Sequence, residues 1–479
     1  MKPRGLLSSS LIYGAGAVAN RLAALLLLPV FTAYLTPSDY GVVGMLSTLG
    51  MLLTPVFSFG LGTSIGVCYF ASADKDVRCQ VIRSAFMIVL LSALCMVLLA
   101  TLLGTEISGW VLSSPNFGAH VMVTILGVCF GLLAIPLQLR LQFENRPVAY
   151  VICSLLGLAG NLGLSYVMVV YFRSGAMGLL LGTTLGQALA LVASGFCGFQ
   201  LPRMKDLLSP SARELFWLGL PMIPSFFLLF FLQNAVRWPL EWERGLHDVG
   251  LFTIGTNFGL AMTVFTGGVV AAWLPHALSM AERWEEGRHE LARSFLRYFA
   301  VGGFLVLLFF VGAQPILKLF AADDFFPAWS VVGLSALAQF LISLFSLVLP
   351  PLYLAKKVRL VLVPQALASL LVAALMLWLV QFGIVGAGLV AAIGALVLVA
   401  LTLGMIRWAV SDILPIPYNM AALAALSGVI GIGAALSFML TIHDLAEFCI
   451  GVALILCVSA ALVVRIAEIP IVFPTRKTS

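Results

Sequence analysis

The sequence predicts an all-α polytopic membrane protein of about fourteen transmembrane helices, and three observations predict it. Hydrophobic residues make up 62% of the 479-residue chain and charged residues only 10%, against ~25% charged in soluble domains. The mean hydropathy is +1.10. The apolar residues fall in runs of about twenty or more, the length that spans a hydrocarbon core. Between them lie only short loops, with no room for a soluble catalytic module.

In chain order the runs predict spans near 8–35, 40–70, 84–104, 118–138, 148–171, 175–198 and 215–236. They continue near 248–275, 296–318, 328–354, 358–381, 384–408, 418–441 and 445–466. The first run is too long for a signal-peptide core and reads as an uncleaved first span. Pro29, Pro55, Pro136, Pro221, Pro224 and Pro350 interrupt spans and predict bends. Of the eight Cys, Cys68, Cys95, Cys129, Cys153, Cys197 and Cys457 sit in apolar segments without metal-like spacing. They read as small buried hydrophobes.

An even span count puts both termini on one side. With that side cytoplasmic, the inside segments hold 21 Lys and Arg, and the outside segments hold Arg173, Arg237, Arg244 and Lys318. Arg21 stays in the membrane. The positive-inside rule therefore predicts cytoplasmic N- and C-termini. The formal charge of +6 is dispersed through loops, which is not a nucleic-acid signature.

The chain resembles itself at an offset of about 209. Asp39-Tyr40-Gly41 matches Asp248-Val249-Gly250, and Arg78-x4-Arg83-Ser84 matches Arg288-x4-Arg293-Ser294. Gly175-x-x-Gly178 matches Gly383-x-x-Gly386. Six spans per unit make this a parallel repeat about an axis along the membrane normal. The expected organisation is a six-helix lobe over 1–200 and a second over 201–410, around a central cavity. Residues 411–479 add two helices and a short cytoplasmic tail.

The run Asn20-Arg21, Pro29, Leu35-Thr36-Pro37-x-x-Tyr40-Gly41 resembles the N-terminal signature of Wzx-type polysaccharide flippases. These belong to the multidrug/oligosaccharidyl-lipid/polysaccharide exporter superfamily. The text around Pro221 and Pro224, the Asp248-Val249-Gly250-Leu251-Phe252 opening and Gly383-Ile384-Val385-Gly386-Ala387-Gly388 are similar to later signatures of that family. The resemblance covers roughly residues 5–410. It implies a flippase, not an enzyme, in the bacterial inner membrane. The cargo would be an undecaprenyl-pyrophosphate-linked oligosaccharide, destined for O-antigen, capsule or exopolysaccharide. It would move to the periplasmic leaflet by alternating access. Two departures stand out. Gln233-Asn234-Ala235-Val236-Arg237 keeps only the base of the family's acidic–basic pair. The fourteen spans are similar to those of lipid II flippases, but the Arg-Asp and Arg-Arg runs of their first two spans are absent. A lipid II flippase and a cation-coupled multidrug or small-molecule exporter of the same superfamily are the alternatives.

Within that reading, Arg21 is the leading candidate. A cation at the middle of a span costs from ~2.5 to more than 10 kcal/mol unless it faces a wet cavity or a partner. A guanidinium there grips a pyrophosphate bidentately; the alternative is an Arg capping carbonyls between packed helices. Arg237 is the second headgroup candidate, or else an interfacial residue paired with Glu241 or Glu243. Asn20, Asn161, Gln187, Asn234, Asn257 and Gln339 are amides in apolar spans, suited to sugar hydroxyls or to interhelical hydrogen bonds. Arg78, Arg83, Arg288 and Arg293 form a cytoplasmic entrance or gate, or anchor on anionic lipid. Asp39, Asp248 and His276 are candidates for coupling or gating, with helix capping the simpler role for the acids. No metal site and no cofactor are expected. No GxxxxGK[ST] loop is present, so energy would come from a proton or sodium gradient or the membrane potential. The expected partners are the lipid-linked oligosaccharide, membrane lipid, a polysaccharide polymerase and a chain-length regulator, with the chain itself a monomer.

Overall fold

The computed structural model describes residues 27–198, 203–279, 284–409, 417 and 419–439. Among them there is no strand. The helices are α1 Pro37–Phe57, α2 Leu61–Ala71, α3 Lys75–Leu112, α4 Gly118–Phe143, α5 Pro147–Tyr166 and α6 Gly175–Phe196. They continue with α7 Pro210–Gly219, α8 Ile223–Asn234, α9 Arg237–Gly259, α10 Met262–Ser279 and α11 Trp284–Phe320. The last four are α12 Trp329–Val348, α13 Leu362–Leu379, α14 Gly383–Ala409 and α15 Met420–Met439.

The starts follow local chemistry. Thr36 caps α1: its hydroxyl accepts the Asp39 N–H at 3.2 Å, and Asp39 Oδ2 accepts the Thr36 N–H at 3.0 Å. Pro37 fills the first helical position, where its missing N–H costs nothing. Asp74 caps α3 by accepting the Asp76 N–H, and Ser209 caps α7 by accepting the Ala212 N–H. α1 ends just after Pro55, where Phe59 and Gly60 turn with φ of +47° and +66°.

Eleven helical stretches among the described residues are long and apolar enough to cross a membrane. Two are double length. Val358–Ala409, 52 residues, would measure about 78 Å as one straight helix, against a core of ~30 Å. It breaks at Gly383, where φ is +69°. Pro210–Gly259 breaks between α8 and α9 and again at Gly245, φ +80°. Most of the first expected span and all of the fourteenth lie outside the described residues.

The chain divides into two compact units. Unit one comprises residues 1–254, 320–325 and 373–387. Within it α4 packs against both α3 and α6, and α5 packs along α6. Met45, Leu46, Ile65, Leu112, Leu132 and Leu141 are fully buried. Unit two comprises residues 255–319, 326–372 and 388–479. In it α10 packs on α12, where Trp273 Nε1 donates to the Leu347 carbonyl at 2.7 Å. Tyr298 and Ser343 hydroxyls meet at 2.7 Å, and α15 sets Phe438 against Phe310 and Trp329. Large apolar side chains such as Leu98, Leu102, Trp110, Leu377 and Phe196 are exposed, as on a surface solvated by lipid.

The repeat is visible within unit one as reciprocal contacts. A Cβ on Gly41 would lie 1.9 Å from the Leu246 carbonyl oxygen, and a Cβ on Gly250 would lie 1.7 Å from that of Pro37. Pro37 and Leu246 are 209 residues apart, and so are Gly41 and Gly250. Gly44 lies against Thr253, its own counterpart at the same offset. Residue i touches j' while j touches i', the signature of a two-fold contact. Only glycine lets the two backbones approach so closely.

Candidate functional site

The same two-fold extends to hydrogen bonds. The Ala322 N–H donates to Thr32 Oγ1 at 3.2 Å, and Ser113 Oγ donates to Glu241 Oε2 at 2.8 Å. Thr32 and Glu241 are 209 apart, as are Ser113 and Ala322. Glu241 is only 5% exposed, so its carboxylate needs this donor. Tyr40 meets Phe325 edge to face at 5.3 Å.

The two repeated acids belong to the same end of the unit. Asp39 Oδ1 accepts the Ala176 N–H at 3.2 Å, beside Gly175 at φ +56°. Asp39 thus serves the N-termini of both α1 and α6. Asp248 lies beside Gly383, the start of α14, where a Cβ would come 3.6 Å from Oδ2. His247 Nδ1 is 3.3 Å from Asp248 Oδ1. An anionic side chain at the positive end of a helix dipole is stabilising. Each repeated Asp therefore sits at the first glycine of the sixth helix of its repeat.

Arg237 opens α9. Its Nη1 donates to Asn234 Oδ1 at 2.8 Å, and its guanidinium lies 5.5 Å from the centre of the Phe252 ring. It is half-buried just past the end of the apolar helix α8. The guanidinium thus packs near an aromatic ring while it bonds an amide oxygen.

The remaining candidates divide between the units. Asn161 is half-buried, accepts from Ser165 Oγ at 3.3 Å and lies against Gly186. Gln187 is exposed, near Gly131. Asn257 and Gln339 are half-buried in unit two. Arg78 Nε donates to the Ser72 carbonyl at 2.8 Å and its cation lies over Tyr69. Arg83 Nε is 3.4 Å from Asp206 Oδ2. Arg288 is half-buried and Arg293 exposed, both in unit two, so the four arginines are split two and two. His276 is exposed, its ring 6.2 Å from that of Trp273. Asn20 and Arg21 lie outside the described residues.

The other loops also pair among themselves. Ser84 Oγ donates to the Asp206 carbonyl at 2.9 Å, Arg140 Nη1 to that of Gly198 at 2.6 Å, and Arg146 Nη1 to that of Cys197 at 2.9 Å. In unit two, Lys357 Nζ reaches the Ala409 carbonyl at 2.8 Å. Each tie joins two helix ends or loops that the span count puts on one side of the membrane.

A family model described as "Polysaccharide biosynthesis protein" matches residues 30–323, more than half of the chain. The chain belongs to the polysaccharide biosynthesis protein family. No curated protein sequence matches it. Among solved structures, the lipid II flippase MurJ in an inward closed conformation superposes with a TM-score of 0.70 at 12% identity. That match covers 96% of this chain and 99% of the flippase. An inward-facing multidrug resistance MATE transporter of the MOP superfamily gives 0.66 at 14% identity, covering 82% of this chain and 98% of its own. A MATE protein in complex with MaD3S gives 0.60 at 16%, covering 85% and 96%. At these identities the likeness is one of fold. The MATE structures are matched almost whole yet leave part of this family member unmatched; the lipid II flippase leaves almost none.

Sequence reasoning missed the Ser113–Glu241 and Thr32–Ala322 ties and Asp206 as the partner of Arg83. The 209 offset maps Thr32 onto Glu241 and Ser113 onto Ala322, so either tie implies the other, but the offset alone predicts neither. No local signal marks Asp206, 123 positions from Arg83.

Proposed function

We propose that this polysaccharide biosynthesis protein is a flippase for an undecaprenyl-pyrophosphate-linked oligosaccharide. It carries the glycan from the cytoplasmic to the periplasmic leaflet of a bacterial inner membrane. The observation that carries the reading is the conjunction of the family with a fold shared along nearly the whole chain with a lipid II flippase. The family supplies the glycan pathway; the fold supplies a design that rocks between two access states.

In this reading Arg21 and Arg237 hold the pyrophosphate, because a guanidinium matches its oxygens and loses little of its charge in a low-dielectric cavity. Asn20, Asn161, Asn234, Asn257 and Gln339 hydrogen-bond sugar hydroxyls. Arg78, Arg83, Arg288 and Arg293 guard the cytoplasmic mouth, and both termini are cytoplasmic. The contacts of Thr32, Glu241, Ser113 and Tyr40 keep the periplasmic end closed. Transport draws on an ion gradient or the membrane potential, with Asp39, Asp248 and His276 the titratable candidates for coupling. The protein acts as a monomer beside a polymerase and a chain-length regulator, and performs no covalent chemistry.

The test is a deletion strain complemented with wild type, Arg21→Ala or Arg21→Lys, assayed for surface glycan and lipid-linked oligosaccharide together. The expected result is loss of surface glycan on deletion, precursor accumulating on the cytoplasmic side, and failure of Arg21→Ala at normal protein level. Unchanged surface glycan in a strain shown to lack a redundant flippase would overturn the reading and bring forward a cation-coupled small-molecule exporter.

A further inference from the structure

A shallow cavity of about 750 Å³ lies in unit two, where the loop after Pro350–Leu354 meets the last turn of α14. Lys356, Lys357 and Arg359 line it from the loop and Trp408 from the helix. Val358 and Leu360 provide an apolar floor, and no described lining residue is acidic.

The loop is pre-organised. The Lys356 N–H donates to the Tyr353 carbonyl at 3.1 Å and the Lys357 N–H to that of Leu352 at 2.9 Å. Lys356 adopts φ +55° to make that turn. Lys357 Nζ then bonds the Ala409 carbonyl, the last of α14, at 2.8 Å. This cation is engaged with a helix C-terminus, where it is also favoured by the dipole. Its tie fixes the loop against the helix and leaves Lys356 and Arg359 exposed on either side of it. Trp408, 80% exposed, stands beside them, preceded by the exposed Arg407.

Basic side chains around an exposed indole at the end of a spanning helix match the level of lipid headgroups. Basic pockets between span ends bind phosphate-bearing headgroups. We propose that this cavity binds the phosphate of a membrane lipid whose headgroup is anionic overall. Lys356 and Arg359 contact the phosphate oxygens, the Trp408 indole covers the glycerol or first isoprene carbons, and Val358 and Leu360 receive the start of the chain. The proposal is independent of the transport reading.

The full-length protein in nanodiscs, with phosphatidylcholine or phosphatidylglycerol brominated on the acyl chains, provides the test. Quenching lost in Trp408→Phe reports lipid at this cavity. Stronger quenching by phosphatidylglycerol is expected. Each of Lys356→Gln and Arg359→Gln is expected to weaken the preference about five-fold, equivalent to about 1 kcal/mol per basic residue at a membrane surface. Melting temperature should not change. Equal quenching by the two lipids, or an undiminished preference in the double variant, would overturn the proposal. If the variants fail to fold, the salt dependence of the wild type decides: a preference insensitive to ionic strength also overturns it. Unlabelled polyprenyl diphosphate and unlabelled phosphatidylglycerol are then added as competitors. Displacement by trace polyprenyl diphosphate supports the site and identifies it with the cargo class. Displacement only by phosphatidylglycerol supports it as a site for bulk lipid.

Discussion

Adding one methyl group at Gly250 tests whether the two halves of the repeat meet backbone to backbone. The new Cβ would stand 1.7 Å from the Pro37 carbonyl oxygen. Carbon–oxygen contacts settle at about 3.3 Å or more, so α1 and α9 must part by roughly 1.5 Å at this point. The obstacle is main chain inside a helix, which cannot swing aside as a side chain does. Over-packing of this kind costs about 1–3 kcal/mol, or roughly 5 °C in melting temperature for a unit of this size. The two-fold makes a sharper demand: Gly41→Ala meets the Leu246 carbonyl at 1.9 Å and should cost about the same as Gly250→Ala. Gly62→Ala, in α2 with nothing within 4 Å of the added atom, should be neutral or up to ~1 kcal/mol stabilising through helix propensity. The assay is thermal unfolding in detergent, read by a thiol-reactive dye that gains access to the buried Cys68, Cys129 and Cys153. If all three variants melt alike, the reciprocal contact is refuted. If Gly250→Ala falls while Gly41→Ala does not, the two-fold is refuted.

Asp39→Ala removes the carboxylate half of the α1 capping box and the acceptor for α6 together, so it should lower stability by about 1–2 kcal/mol, with Asp39→Asn retaining much of it; the same dye assay measures both. Ser113→Ala leaves the buried Glu241 carboxylate without its hydroxyl donor and should cost about 1–3 kcal/mol in the same dye assay; Ser113→Thr should not rescue it, because a β-branched residue is strained at the φ of +48° found there. Asp206→Ala strips both Arg83 and the Arg203 N–H of their carboxylate; tryptic cleavage after Arg203 should quicken, and an unchanged rate would sink the idea that this ion pair holds the loop. Arg237→Ala should reduce glycan export by about ten-fold, the loss of one charge-assisted contact of ~1.4 kcal/mol or more. In a surface-glycan assay Arg237→Lys should be intermediate, and Asn234→Ala closer to wild type.

Much of the fold was legible because membrane spans are written locally. Apolar runs and the boundary at Gly383 each depend on a few neighbouring residues; the runs place the starts of the second and third spans near 40 and 84, where the capped helices begin at Pro37 and Lys75. The candidate site was less legible. Asp39 and Asp248 were recognised as repeated acids near helix starts, but each also lies at the first turn of a helix far along the chain, Ala176 or Gly383. The pairing of Arg237 with Asn234 follows from a three-residue spacing, whereas its contact with Phe252 needs a fold in the chain at Gly245. Arg83 looked like half of a repeated cationic pair; its partner Asp206 was invisible because an ion pair leaves no trace in the sequence between its members.

The sequence by itself determined the membrane class, the bounds of most spans and the 209-residue repeat, because hydropathy and helix capping act over one or two turns. Only the tertiary structure decided that Gly41 and Gly250 lie across a two-fold from Leu246 and Pro37, and that Thr32 bonds Ala322 as Glu241 bonds Ser113. Those outcomes depend on which backbones approach within contact distance, and that distance is set jointly by segments two hundred residues apart.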